Sequence, residues 1–383
     1  MNDLKTIPYG KQWIDEDDIR AVVDVLRADR ITTGPRVKEF EREFSRAAGS
    51  RFAVAVSSGT AALHCAMYAL GIGPGDEVIV PAMTFAATAN CVVFQGGTPV
   101  FADIDPLTLL IDPDDVEAKF TPRTKAVIAV DYAGQPCRYD ELRGLTSSWG
   151  IPLVADACHS LGAAYYGRPV GSLADLSVFS FHPVKHITTG EGGMITTDDP
   201  DRAEKAALFR NHGITVDFDR RLAGSSWFYE IVDLGYNYRI TDIQCALGIS
   251  QLKKLAAWTA RRREIADRYS RALMSIPQMA PLDVMKEAFH SYHLYVVKIG
   301  SDEPGRNRDD VFAALLQRGI LVNVHYIPVH LHPYYRKRFG TAEGLCPKAE
   351  AAYRQVISLP MFPLMSDADV DRVMETCAAI MKD

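Results

Sequence analysis

The sequence predicts an α/β protein, with a large domain on a mostly parallel central sheet and a smaller α+β C-terminal domain after it. Three observations predict this. Short apolar runs alternate with helix-patterned stretches over about residues 50–240. Polar residues do not interrupt the runs, as expected of strands covered on both faces by crossover helices. After a long helical segment the pattern changes to two strands and three helices. At 383 residues the chain exceeds one compact unit of about 150 residues. The division is expected at 245/246: 1–245 holds an N-terminal segment and the large domain, and 246–383 the bridging helix and the small domain.

Taken in order, Ile19, Val22, Val23 and Leu26 form the apolar stripe of a first amphipathic helix over 15–29. Thr32-Thr-Gly-Pro35 breaks it, and Val37, Phe40 and Phe44 begin a second helix. Strands are expected at Phe52–Val56, Glu77–Val80, Pro99–Ala102, Ala126–Val130, Leu153–Ala155 and Leu176–Phe181, with helices such as Thr60–Leu70 and Tyr139–Trp149 between them. A helix from Ile240 to about Met274 bridges to strands at His290–Ile299 and Ile320–Tyr326. Helices near Asp309–Gln317, Cys346–Val356 and Asp367–Met381 complete the small domain.

Composition removes several function classes. Hydrophobic residues make up 48% and charged residues 23%, the balance of a globular protein and not of a disordered one. A net charge of -6 argues against a nucleic-acid binder. The basic run Arg261-Arg262-Arg263 reads as an exposed, solvated helix face. No membrane-length apolar run or signal peptide is visible, and the seven cysteines are scattered. A reduced, cytoplasmic protein is the expectation.

Chemistry concentrates at strand ends. Ser57-Ser-Gly-Thr60 follows a strand and opens a helix, where free amides, hydroxyls and the helix N-terminus suit a phosphate. Asp156 ends a buried strand and needs a cationic partner, which a protonated pyridine nitrogen supplies. Lys185 lies at the mouth of the strand ending near Phe181, beside Ser180, His182 and His186, in a glycine-rich stretch. A phosphate anchor, an acid for a pyridinium and an imine-forming lysine together point to pyridoxal 5′-phosphate. The pair His182/His186 and the cluster His325/His330/His332 suggest a metal, but no Cys or carboxylate completes a site, and no metal is expected. Gly71-Ile-Gly-Pro-Gly75 follows a helix and leads into a strand, the reverse of a dinucleotide fingerprint, and reads as a turn.

Almost the whole chain resembles the pyridoxal phosphate-dependent sugar aminotransferases of the DegT/DnrJ/EryC1/StrS family. Carrying the resemblance are Thr32-Thr-Gly-Pro35, Ser57-Ser-Gly-Thr60, Phe85-Ala-Ala-Thr-Ala-Asn90, Asp156-Ala-Cys-His159, Ser180-Phe-His-Pro-Val-Lys185 and Gly235-Tyr-Asn-Tyr-Arg239. It implies the aminotransferase type I fold and a homodimer with shared active sites. By carry-over, Lys185 is the catalytic Schiff-base lysine and Asp156 binds the pyridine nitrogen. Ser58, Gly59, Thr60 and Ser180 line the phosphate, and Asn237 reaches it from the neighbouring subunit. Phe85 stacks on the pyridine ring and His159 lies near its hydroxyl. Thr33, His325, Tyr326 and His330 are expected to contact the nucleotide sugar. Cys158 stands where relatives often carry a smaller residue.

Phe181–Gly193 and Ala133-Gly-Gln-Pro-Cys137 look most like the pseudaminic acid branch. That branch transfers the amino group of L-glutamate to C4 of UDP-2-acetamido-2,6-dideoxy-β-L-arabino-hexos-4-ulose. Other 3-keto or 4-keto sugar nucleotides stay open. A sugar dehydratase of the same fold carries histidine in place of the lysine, and a non-catalytic regulator would show a broken site or an added DNA-binding segment. Lys185 is present, and neither regulator feature is seen.

Overall fold

The computed structural model describes residues 6–215, 227–300 and 307–382. Seven strands form the central sheet: β1 (Phe52–Val56), β2 (Glu77–Pro81), β3 (Thr98–Ala102), β4 (Thr124–Val130), β5 (Leu153–Asp156), β8 (Leu176–Ser180) and β9 (Gly193–Thr197). Their spatial order is β1-β9-β8-β5-β4-β2-β3. Every neighbouring pair from β8 to β3 is parallel, whereas β9 runs antiparallel to both β1 and β8. The apolar runs therefore sit where two-sided burial predicts; β2 is buried along its whole length.

Helices cover the sheet. Gly59–Ala69 begins at the N-cap Ser58, whose hydroxyl accepts from the Ala61 amide. Glu16–Leu26 starts with a capping box of Asp15 and Asp18. The expected bridging helix is two helices, Asp242–Leu252 and Leu255–Leu273. A small sheet has β6 (Ala164–Tyr165) in the middle, paired with β7 (Arg168–Pro169) on one side and β11 (Ala288–Phe289) on the other. A last sheet joins β10 (Met279–Pro281), β12 (Tyr295–Ile299) and β13 (Val356–Leu359).

Three expectations need correction. Ile320–Tyr326 forms no ladder: it makes isolated bridges at Ile320 and Asn323 only. The end of the expected helix Cys346–Val356 is instead β13, and the helix is Pro347–Tyr353. Arg262 is not on a solvated face. It is 1% exposed, and its Nη1 donates to the carbonyls of Tyr292, His293 and Met361. Burial without a carboxylate partner lowers its pKa to about 10.

Candidate active site

The C-terminal ends of β5 and β8 bring together residues far apart in sequence. Asp156, the last residue of β5, is 6% exposed. Its Oδ2 accepts from the Thr88 hydroxyl at 2.7 Å, and its Oδ1 from the Cys158 amide at 3.3 Å. Thr88 has one hydroxyl proton and gives it to the carboxylate. The 2.7 Å bond between Thr84 and Thr88 must then be donated by Thr84. Both threonines come from the segment that opens helix Ala86–Phe94, so that helix aims Asp156.

Ser58, Gly59 and Thr60 lie directly beside the end of β8. A Cβ on Gly59 would sit 2.9 Å from Ser180 Cβ and 3.3 Å from Cys158 Sγ. Only a glycine lets the helix start approach this closely. Ser58 satisfies the Ala61 amide through its hydroxyl and the Ala62 amide through its carbonyl. The amides of Gly59 and Thr60 remain at the open end of the helix, next to Ser180, as an anion cradle.

Lys185 is half-buried in the loop between β8 and β9, where its amide donates to the His182 carbonyl at 2.9 Å. Burial lowers the pKa of its amine, while Cys158 and Asp156 act in the opposite sense. His159 is buried, with Nε2 3.1 Å from the Tyr326 hydroxyl. Burial, with Lys185 nearby, holds His159 far below the usual imidazole range. Phe85 caps helix Ala86–Phe94 with its ring 60% exposed, 6.1 Å from the Tyr326 ring.

Not every expected residue gathers here. His325 borders Tyr326, but its ring is buried and its Nδ1 bonds the Ser358 hydroxyl at 2.7 Å. His330 is corrected outright: it is fully buried, with Nε2 2.8 Å from Glu350 Oε1, and offers no face to a substrate. Thr33 is exposed and lines a groove of about 1140 Å³ together with Asn211 and Arg239. Asn237 is also exposed and bridges to Asn211. Neither Lys185 nor Asp156 lines that groove. Among the described residues no three of His, Cys, Asp and Glu converge as metal ligands, and no helix is long and apolar enough to cross a membrane. Sequence reasoning missed Thr84 and Thr88, and it passed over His293 beside His159. Thr88 lay inside the quoted segment Phe85–Asn90, so a hydroxyl four residues after Thr84 was the available signal.

The profile of the DegT/DnrJ/EryC1/StrS aminotransferase family matches residues 12–378. The chain belongs to this family. It is similar to the spore coat polysaccharide biosynthesis protein SpsC of Bacillus subtilis, at 43% identity over 378 residues, 98% of this chain and 97% of the relative. The putative sugar aminotransferase Spr1654 from Streptococcus pneumoniae, in its PMP form, superposes with a TM-score of 0.92 at 36% identity, covering 98% of this chain and 99% of the other. Its PLP form gives 0.90 at 35% identity. Helicobacter pylori PseC, an aminotransferase involved in the biosynthesis of pseudoaminic acid, gives 0.90 at 32% identity, covering 99% and 100%. The fold is thus that of the family's pyridoxal phosphate-dependent enzymes, and the protein is a sugar aminotransferase with that cofactor.

The residues present fit the family cofactor. Asp156 accepts hydrogen bonds from two neutral donors, and a cationic ring nitrogen would give it a charged partner. Gly59 leaves the open cradle a phosphate needs, and the bare ring of Phe85 offers an apolar face. Bound there, pyridoxal phosphate supplies an electron sink for negative charge beside the transferred nitrogen.

Proposed function

We propose that this aminotransferase moves the amino group of L-glutamate to C4 of a UDP-linked 4-keto-6-deoxy-N-acetylhexosamine, as in pseudaminic acid biosynthesis. The observation that carries the transamination reading is the convergence of Lys185, Asp156 and the Ser58–Thr60 turn at the C-terminal ends of the central strands β5 and β8. Lys185 would link the cofactor at rest. Released as an amine of lowered pKa, its Nζ takes the proton from Cα of glutamate. In the second half-reaction the same Nζ gives a proton to the sugar carbon that receives nitrogen. Asp156 would hold the pyridine nitrogen protonated, and Ser58, Gly59, Thr60 and Ser180 would hold the phosphate. Neutral His159 would lie near the ring hydroxyl, Phe85 would cover the ring, and Tyr326 would border the sugar.

We further propose a homodimer with shared sites, acting in the cytoplasm. Trp227, Ile231, Val232 and Leu234 are 84%, 66%, 57% and 75% exposed, an apolar run that a second copy would cover. Thr33 lines a groove that includes neither Lys185 nor Asp156, and Asn237 is exposed; both would serve the partner's site. The free state of all seven cysteines supports the compartment.

The C4 and UDP assignment is supported by the segments Phe181–Gly193 and Ala133–Cys137 and by the similarity to PseC. The higher identity to SpsC favours a second reading, amination of another 3-keto or 4-keto sugar nucleotide for a surface polysaccharide. A panel of keto-sugar nucleotides with glutamate decides between them, with NMR of the product fixing the aminated carbon. Transfer confined to a 3-keto or non-UDP substrate would overturn the first reading; failure to release 2-oxoglutarate with any substrate would overturn both.

A further inference from the structure

The loop that carries Lys185 has no regular structure of its own between β8 and β9. The residue after the lysine anchors it. His186 turns inward, is 3% exposed, and places Nε2 3.1 Å from the Ser291 carbonyl oxygen. A carbonyl only accepts, so Nε2 carries the proton. Burial, reinforced by Arg262, pushes this imidazole well below its ordinary range, so the ring is neutral and Nδ1 is a bare acceptor.

Ser291 is itself held firmly. Its amide donates to the Gly134 carbonyl at 3.0 Å, and its hydroxyl lies 3.2 Å from that oxygen and 3.3 Å from the His159 carbonyl. Gly134 has φ +105, and a Cβ there would lie 2.9 Å from both His159 O and His293 N. The next imidazole, His293, has its ring 5.7 Å from His186 and 4.4 Å from His159. One column of three buried rings thus joins the lysine loop to the residue assigned to the cofactor hydroxyl. Arg262 from helix Leu255–Leu273, His290 before β12 and Lys185 in the loop are the other titratable groups that act on His186.

We propose that His186 is a positioning residue: by donating Nε2–H to the Ser291 carbonyl, it fixes Lys185 relative to His159 and so sets the lysine's alignment with the cofactor. The inference rests on Lys185 as the linking residue. Borohydride trapping of wild-type holoenzyme with peptide mapping tests that separately: a label elsewhere sinks the site reading itself.

With the label on Lys185, His186→Phe and His186→Gln test the positioning role. Phe keeps a ring without the donor; Gln keeps a donor at a similar reach. In His186→Phe the midpoint of the pH titration of the cofactor's visible absorbance should move by about half a unit or more, and kcat should fall about tenfold with KM for glutamate within about twofold. His186→Gln should restore both toward wild type. An unmoved midpoint in His186→Phe, or a Gln variant as impaired as Phe, overturns the proposal. Isotope-labelled histidine spectra of unmodified holoenzyme address the same bond without a core substitution. They should show His186 as the neutral Nε2–H tautomer, and an Nδ1–H or charged ring there overturns the proposal.

Discussion

Asp156 meets a hydroxyl and an amide in a nearly dry pocket, and both are neutral. Its side chain is therefore aimed but not paired, the state in which a carboxylate gains most from a cation that arrives with the cofactor. Replacing Asp156 with Asn should lower kcat about a hundredfold or more while leaving Lys185 open to borohydride labelling. A near-normal kcat would remove the pyridinium role. Thr88→Val strips the Oδ2 donor, a bond to a charged group worth about 1.5–3 kcal/mol, and urea unfolding of the cofactor-free enzyme should show a loss of that size. Lys185, Asp156 and Ser58–Thr60 were legible in the sequence because strand ends expose chemistry at recognisable places. Thr88 was not singled out, because the partner that gives it a role is 68 residues away and its spacing from Thr84 is the one local mark. Arg262 was misread as part of a basic run. Yet Leu255, Trp258, Arg262, Ile265 and Tyr269 share one buried stripe of their helix, and that period was the better guide.

At the scale of elements, the start of helix Gly59–Ala69 and the end of β8 leave no room for a methyl group between them. Gly59→Ala forces them apart at a cost of about 1–3 kcal/mol. Titration with pyridoxal phosphate should show binding weakened about tenfold, while pyridoxal without its phosphate is little affected. Equal losses for the two would place the damage outside the anion cradle. Six of the seven sheet strands were readable as apolar runs. The seventh, β9, begins with Gly193 and ends in Thr196 and Thr197, so it reads as more of the glycine-rich loop, and only its pairing to β1 and β8 makes it a strand. Val356–Leu359 was hidden for a related reason: four residues after a helix offer too little length to show a change of period.

For the whole molecule, the proposed homodimer with shared sites makes a prediction that one chain alone cannot satisfy. Lys185→Ala subunits and Asn237→Ala subunits, mixed and re-equilibrated, form heterodimers in which one site has both Lys185 and Asn237 intact if asparagine crosses the interface. Activity of the mixture should exceed that of either variant alone; no gain would place Asn237 in its own subunit's site. Acid lability is a second property at this scale. His64, His159, His186, His290, His293 and His325 are buried and held below their ordinary values by desolvation, His64 at about 4 and His290 and His325 at about 3. Their contribution is complete above the unfolded value near 6.5 and is lost as pH falls below it, because the unfolded chain takes the protons first. Six such groups give a slope of up to about 8 kcal/mol per pH unit. Asp131, raised to about 6 by burial, works in the opposite sense, but it is one group against six. Melting temperature should therefore drop steeply from pH 6.5 to 5, and a flat profile would contradict neutral burial.

Helix Leu255–Leu273 sends Leu255 and Trp258 into the core of the large sheet and Ile265, Ala266, Tyr269 and Leu273 into the core of the β10–β12–β13 sheet. Its 19 residues make an unbroken rod about 28 Å long, too stiff to yield in the middle. Heat cannot melt one core and spare the other without cutting that rod. A calorimeter should record one cooperative endotherm, its van't Hoff and integrated enthalpies in agreement.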